Sequence, residues 1–222
     1  MRQNTTPRTA REGWLARFRG IIKQVFNPAR PRRKPLPASP EIPSHLIDDQ
    51  LQLEGDGFGK LLGRSYEVVF RTQLSPSELM RQVFSHLEQL SPEELAAFEK
   101  SRGSSWVLRL GDEFEITIFG PWNGKVRVIE VTETAFSFVT LQGHPEAGKI
   151  RFAATTTRSG ILRFGITSWA RSRDQIVDLT YDKLGLAKGL QTTTWRTFLE
   201  RVVELGHGQM IGQIVVSEQE QA

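Results

Sequence analysis

AFSFVTLQGHPEAGKIRFAATTT, residues 135–157, holds two strand-like runs around a polar turn, Gly143-His144-Pro145-Glu146-Ala147-Gly148. Before the turn Phe136 and Phe138 fall on one face; after it Ile150, Phe152 and Ala154 do the same. That period of two marks half-buried strands, and a connection this short joins them antiparallel. Glycine at both ends of the turn accepts positive φ, and Pro145 fixes its own φ near about −65°. The turn therefore holds an imidazole and a carboxylate in a defined place.

Working outward, the same pattern recurs. Strands are expected at Ser105–Leu110, Glu113–Phe119 and Lys125–Thr132 before this hairpin, and at Ile161–Ser168 after it. An earlier strand is expected at Arg64–Thr72, with Tyr66, Val68 and Phe70 on one side. Two helices should follow it. Ser75-Pro76-Ser77-Glu78 and Ser91-Pro92-Glu93-Glu94 each offer a capping serine, a proline at the first helical position and a glutamate three residues after the cap. Leu79, Val83, Leu87 and Leu90 form the buried stripe. The segment Gln175–Leu205 reads as a long helix, amphipathic over Trp195, Phe198, Leu199, Val202 and Val203 and stopped by Gly206 and Gly208. Strand, two helices, six meandering strands, long helix is an α+β order. It specifies a helix-grip-like curved antiparallel sheet of about seven strands wrapped around the C-terminal helix.

Charge is segregated along the 222 residues. Residues 1–44 hold ten Lys or Arg against Glu12 and Glu41, whereas the rest carries 19 basic against 23 acidic side chains. Seven of the eleven prolines also precede His45, so residues 27–44 read as an extended linker. Residues 1–44 are thus a basic, Pro-rich tail, expected to be largely disordered, with an amphipathic helix at 11–26 built on Trp14, Phe18, Ile21 and Val25. Residues 45–208 form the domain and 209–222 a C-terminal extension. No cysteine is present, which excludes disulfides, thiolate metal sites and cysteine nucleophiles. No apolar run reaches the roughly 20 residues of a membrane span. A cytoplasmic location follows by default, with peripheral membrane contact through residues 11–34 as a physical option. Aromatic interleaving in the tail is too thin for a base-stacking platform, so nucleic acid is disfavoured.

Six stretches carry a family likeness: GDGFGKLLGRSYEV, FEKSRG, GDEFEITIFGPWNGKVRVIEVT, FSFVTLQGHPEAGKIRF, SWARSRDQIVDLTYDKLGLAK and WRTFLERVV. In order, from Gly55 to about Gly208, they resemble the domain of unknown function numbered nineteen-ninety, an uncharacterised bacterial and plant family. That family is in turn similar in fold to the START, or SRPBCC, superfamily. The superfamily contains lipid carriers, hormone receptors, polyketide cyclases and small-molecule-binding modules. The resemblance implies a ligand cavity without specifying its contents.

His144 and Glu146 are the sharpest site candidates. The commoner role of such a turn is structural, its polar side chains tying down nearby backbone. The functional alternative places them at a cavity mouth as an acid/base pair or as ligand anchors. Trp122 in its hairpin, Trp169 at the end of the last strand and Tyr181 complete the candidate ligand-binding set. Ordinary core packing is the commoner role for Trp169 and for Trp195, which should face it. Arg127, Arg151 and Arg163 share the opposite face, where a solvated surface balanced by Glu115 and Glu130 accounts for them. The other histidines (45, 86, 207) show no ligand spacing, so no metal and no cofactor is expected. Three functions remain. The first is a binding module for a small apolar or amphipathic molecule, lipids included, in a cavity of several hundred Å³. The second is an enzyme using His144 and Glu146, and the third an interaction protein docked through its tail.

Overall fold

A computed structural model describes residues 35–103, 107–118, 123–175, 177 and 186–221. The expected helix at 11–26, Trp122 and Tyr181 lie outside these residues. Among the described residues nine strands form one antiparallel sheet: β1 (Phe58–Arg71), β2 (Ala96–Arg102), β3 (Glu113–Ile118), β4 (Asn123–Val131), β5 (Ala135–Thr140), β6 (Glu146–Thr156), β7 (Leu162–Ser172), β8 (Gln209–Met210) and β9 (Val215–Gln221). Their order is β2-β3-β4-β5-β6-β7-β1-β8, with β9 also on β1. The helices are α1 (Pro76–Ser85), α2 (Leu87–Leu90) and α3 (Leu186–Leu205). The curved sheet and the C-terminal helix are the α+β arrangement expected.

Punctuation works where it was local. Ser75 caps α1: its hydroxyl accepts from Glu78 N–H at 3.2 Å, and the Glu78 carboxylate accepts from Ser75 N–H at 2.8 Å. The second, identical signal does not start a helix. Ser91 instead ends α2, and its hydroxyl donates to the Ala96 carbonyl across a single turn. The chain then enters β2, where pairing with β3 overrides the helical preference of Glu93 to Ala97. Residues 107–110, expected as strand, are irregular, and Val107 and Leu110 stay half exposed.

The strand count rises from about seven to nine because the C-terminal segment pairs. Residues 215–221 run antiparallel along Leu61 to Glu67. Their register sets Glu218 opposite Arg64, and Glu220 reaches diagonally to Lys60; only Val215 and Val216 are apolar, too short a run to announce a strand.

Alternation divides the sheet into two faces. The inner face gives Tyr66, Val68 and Phe70 from β1, Phe136 and Phe138 from β5, Phe152 from β6 and Phe164 and Ile166 from β7. These pack on Trp195, Phe198, Leu199 and Val202 of α3. Phe152 is the centre: it stacks on Phe136 at 4.5 Å between ring centroids and meets Trp195 at 5.7 Å and Phe198 at 5.5 Å. Each such buried ring contributes about 1.5–3 kcal/mol.

The outer face is not a solvated sheet throughout. Leu51, Ile129, Val139 and Leu141 form a second buried cluster, covered by Ile42, Leu46 and Leu53 from the strap that precedes β1. Arg127 pins this strap, bonding Asp48 at 2.7 Å, the Leu46 carbonyl at 3.2 Å and Glu113 at 2.8 Å. Arg151 pairs with Glu130, and Lys125 with Glu115.

Candidate functional site

The Gly143–Gly148 stretch turns the chain from β5 into β6, with Gly143 at φ 91° and Gly148 at φ 155°. Three elements hold it. The buried Gln52 amide, from the strap, donates to the carbonyls of His144 (2.7 Å) and Glu146 (2.8 Å) and accepts from Gly143 N–H (3.0 Å). From the end of β7, Arg173 donates through its side chain to the Gly143 carbonyl at 2.9 Å and through its backbone to the Pro145 carbonyl at 2.8 Å. Thr140 bonds the strap carbonyl of Gln52 at 2.7 Å.

His144 is buried. Its Nδ1 stands 3.0 Å from both the N–H and the carbonyl of Glu146, accepting from the first in one neutral tautomer and donating to the second in the other. Burial pushes its pKa down to about 4, opposed by the bond to the Glu146 backbone. The ring packs directly against β4: a Cβ added at Gly124 would stand 2.1 Å from the imidazole Cδ2, so only glycine fits there. This is the backbone-tying role, and the imidazole bonds the Glu146 backbone rather than its carboxylate.

The Glu146 carboxylate points inward to a different set of partners. Gln191 of α3 donates to its two oxygens at 3.2 and 3.3 Å, and Arg64 Nη1 stands 3.9 Å from Oε1. The Arg64 Nη1 also donates to the Gln191 side-chain oxygen Oε1, while its Nε donates to Glu218 at 2.9 Å. Tyr66 lies beside this cluster, its hydroxyl pKa pushed up to about 12 by burial. Burial also raises the Glu146 pKa, against the lowering effects of Arg64 and Gln191.

A cavity of about 130 Å³ opens between the inner face and α3. Its walls are apolar, including Phe98, Ile116, Phe138, Ile150 and Trp195, with Thr140, His144, Glu146, Lys149, Ser168, Gln191 and Thr194 as the polar lining. It is smaller than the several hundred Å³ expected from the sequence. Four buried side-chain polar atoms among the described residues have no partner, and one, the Trp195 indole N–H, belongs to the cavity wall.

His144 and Glu146 are therefore brought to one cavity. Trp169 is not: Ser168 and Ala170 line the cavity, and Trp169 between them projects to the outer face, where it is buried. It consequently does not face Trp195 across the core. Arg64, Gln191 and Gln52 were not anticipated. Arg64 had a signal, since it shares the face of Tyr66, Val68 and Phe70; Gln191 lies one helical turn before Trp195; Gln52 had none. Among the described residues no group of three His, Asp or Glu could hold a metal ion, and no helix is long and apolar enough to cross a membrane.

A family model described as Domain of unknown function (DUF1990) matches residues 71–208. No curated protein matches the chain. Among solved structures the chain is similar to a hypothetical protein from Helicobacter pylori, at 10% identity over 79% of this chain and 99% of that one, with a TM-score of 0.49. It is similar to the major latex-like protein 151 of Panax ginseng, at 10% identity over 60% and 98% and a TM-score of 0.39. The norcoclaurine synthase of Thalictrum flavum gives 14% identity over 64% and 90% and a TM-score of 0.40.

Proposed function

The chain belongs to the DUF1990 family of domains of unknown function, and from that premise we propose that it is a binding module for a small apolar or amphipathic molecule held between the sheet and α3. The family is defined by sequence, not by an activity, so the site has to carry the argument. One observation carries it: an apolar cavity in which a carboxylate, an amide and an unpartnered indole N–H converge. A buried donor left without an acceptor costs about 1–3 kcal/mol, and a ligand oxygen or nitrogen would recover it. Size narrows the class. An apolar cavity of about 150 Å³ takes up benzene, so about 130 Å³ suits a ring-sized body and not an acyl chain. His144 orders the wall and Glu146 contacts the ligand.

Catalysis is the second reading, favoured by the raised pKa of Glu146 inside the cavity. It assigns proton transfer to Glu146 alone, because the His144 Nδ1 is engaged with backbone.

Native mass spectrometry of gently purified full-length protein, compared with its denatured mass, tests the binding reading. A reproducible non-covalent adduct supports it and identifies the ligand after extraction. A bare mass from several expression hosts and lysates overturns it.

A further inference from the structure

The Glu146 and Glu218 carboxylates share a single guanidinium, and the sharing is unequal. Arg64 gives Glu218 its Nε at 2.9 Å and gives Gln191 its Nη1, which leaves Glu146 the long contact of 3.9 Å. The only hydrogen bonds Glu146 receives at its carboxylate among the described residues come from Gln191, at 3.2 and 3.3 Å. Both exceed the roughly 2.7–2.9 Å of a strong charge-assisted bond. A carboxylate has about four lone-pair sites, so Glu146 retains acceptor capacity. It lines the cavity with 19% of its side chain accessible. The under-donated Glu146 carboxylate thus stands at the polar end of the cavity, and Lys149, the cation of the same lining, is paired with Glu54 at 3.5 Å. A group brought there lowers the energy if it donates protons and raises it if it is anionic.

Resting on the reading of this cavity as a ligand site, we infer that the ligand carries an amine or hydroxyl donor on a body about one aromatic ring in size. The donor seats on Glu146. An ammonium group is preferred over a hydroxyl, since it pairs with the Glu146 charge as well as donating to it. A carboxylic acid or phosphate would set a second negative charge against the same carboxylate and binds worst. The upward displacement of the Glu146 pKa has the same origin, a buried carboxylate with too few donors.

Four probes sharing one ring test this on the full-length protein near neutral pH: benzylamine, benzyl alcohol, toluene and benzoate, titrated by calorimetry and followed by NMR shifts of the Trp195 indole. The expected order is benzylamine, then benzyl alcohol, then toluene, with benzoate last. Glu146→Gln should weaken benzylamine by about tenfold and leave toluene unchanged. Benzoate binding as tightly as benzylamine, or benzylamine binding no tighter than toluene, overturns the donor assignment while the cavity remains a ligand site. If none of the four binds, the ligand site falls and the donor assignment with it. The order among unmodified-protein titrations decides the question even if the variant fails to fold.

Discussion

The side chain of Gln52 donates to the carbonyl of His144 at 2.7 Å across 92 positions of sequence, and the same amide nitrogen reaches the Glu146 carbonyl at 2.8 Å. The strap and the site are therefore one structure. Gln52→Leu keeps the volume but leaves two carbonyls and the Gly143 N–H without their partner. The expected loss is roughly 2–4 kcal/mol in urea unfolding. Broadening of the His144 and Glu146 amide signals should accompany it. A variant as stable as the parent would show that water replaces the amide and that the clamp is dispensable.

What the sequence revealed and what it hid divide along the range of the interaction. The Ser75 cap and the alternation in β5 and β6 are local, and both were legible. Ser91 looked identical to Ser75, but its fate was decided by β3, a strand about 20 residues onward. Residues 215–221 escaped notice because only Val215 and Val216 are apolar and the rest of the strand, Ser217 to Gln221, is polar or charged. In the site, His144 and Glu146 stood out because glycine and proline frame them. Gln52 had no local mark at all, since its three partners lie in another segment. Trp169 is a different case: parity from Phe164 and Ile166 places Ser168 inside and Trp169 outside, so its position was readable and was misassigned.

Acid should destabilise the fold through His144. Unfolded, the ring takes its proton below its ordinary 6.5; folded, only below about 4. Between those values the unfolded state binds more protons, so stability falls as pH falls through the window, by about 3 kcal/mol in total. Glu146, with its raised pKa, works in the opposite sense, its contribution being complete at low pH and fading as pH rises through its folded value. Comparison with His144→Asn separates the two, since Asn keeps an acceptor for Glu146 N–H and does not titrate. Parent and variant should diverge between about pH 7 and pH 4.5. Parallel stability curves would place the imidazole in a solvated, freely titrating position.

Trp195→Phe removes the indole N–H that has no partner and keeps an aromatic ring against Phe152 and Phe198. Shrinking a buried side chain ordinarily costs stability. Here relief of the orphan donor offsets it, so the unliganded variant should unfold within about 1 kcal/mol of the parent. Affinity for ligands that present an acceptor should fall. A loss of several kcal/mol, typical of a cavity-forming change, would mean that the indole nitrogen has a partner in solution.

The boundary between tail and fold should appear in two truncations. Removing residues 1–34 takes away all ten basic residues of the tail and no residue of the strap that packs on the sheet. The thermal midpoint should not move. If residues 11–34 dock to membrane surfaces, cosedimentation with anionic vesicles should be lost, at about 1 kcal/mol per basic residue; vesicle binding that survives the truncation removes that role. Removing residues 1–53 also strips Leu46, Leu51 and Leu53 from Val139 and Leu141, takes Asp48 from Arg127 and deletes Gln52. An apolar patch is bared on the outer face, a buried guanidinium loses a carboxylate, and the site loses its clamp, each a named route to a large loss. That protein should be insoluble or melt far below the parent. If it melts with the parent, the strap only lies on the sheet and does not belong to the cooperative unit.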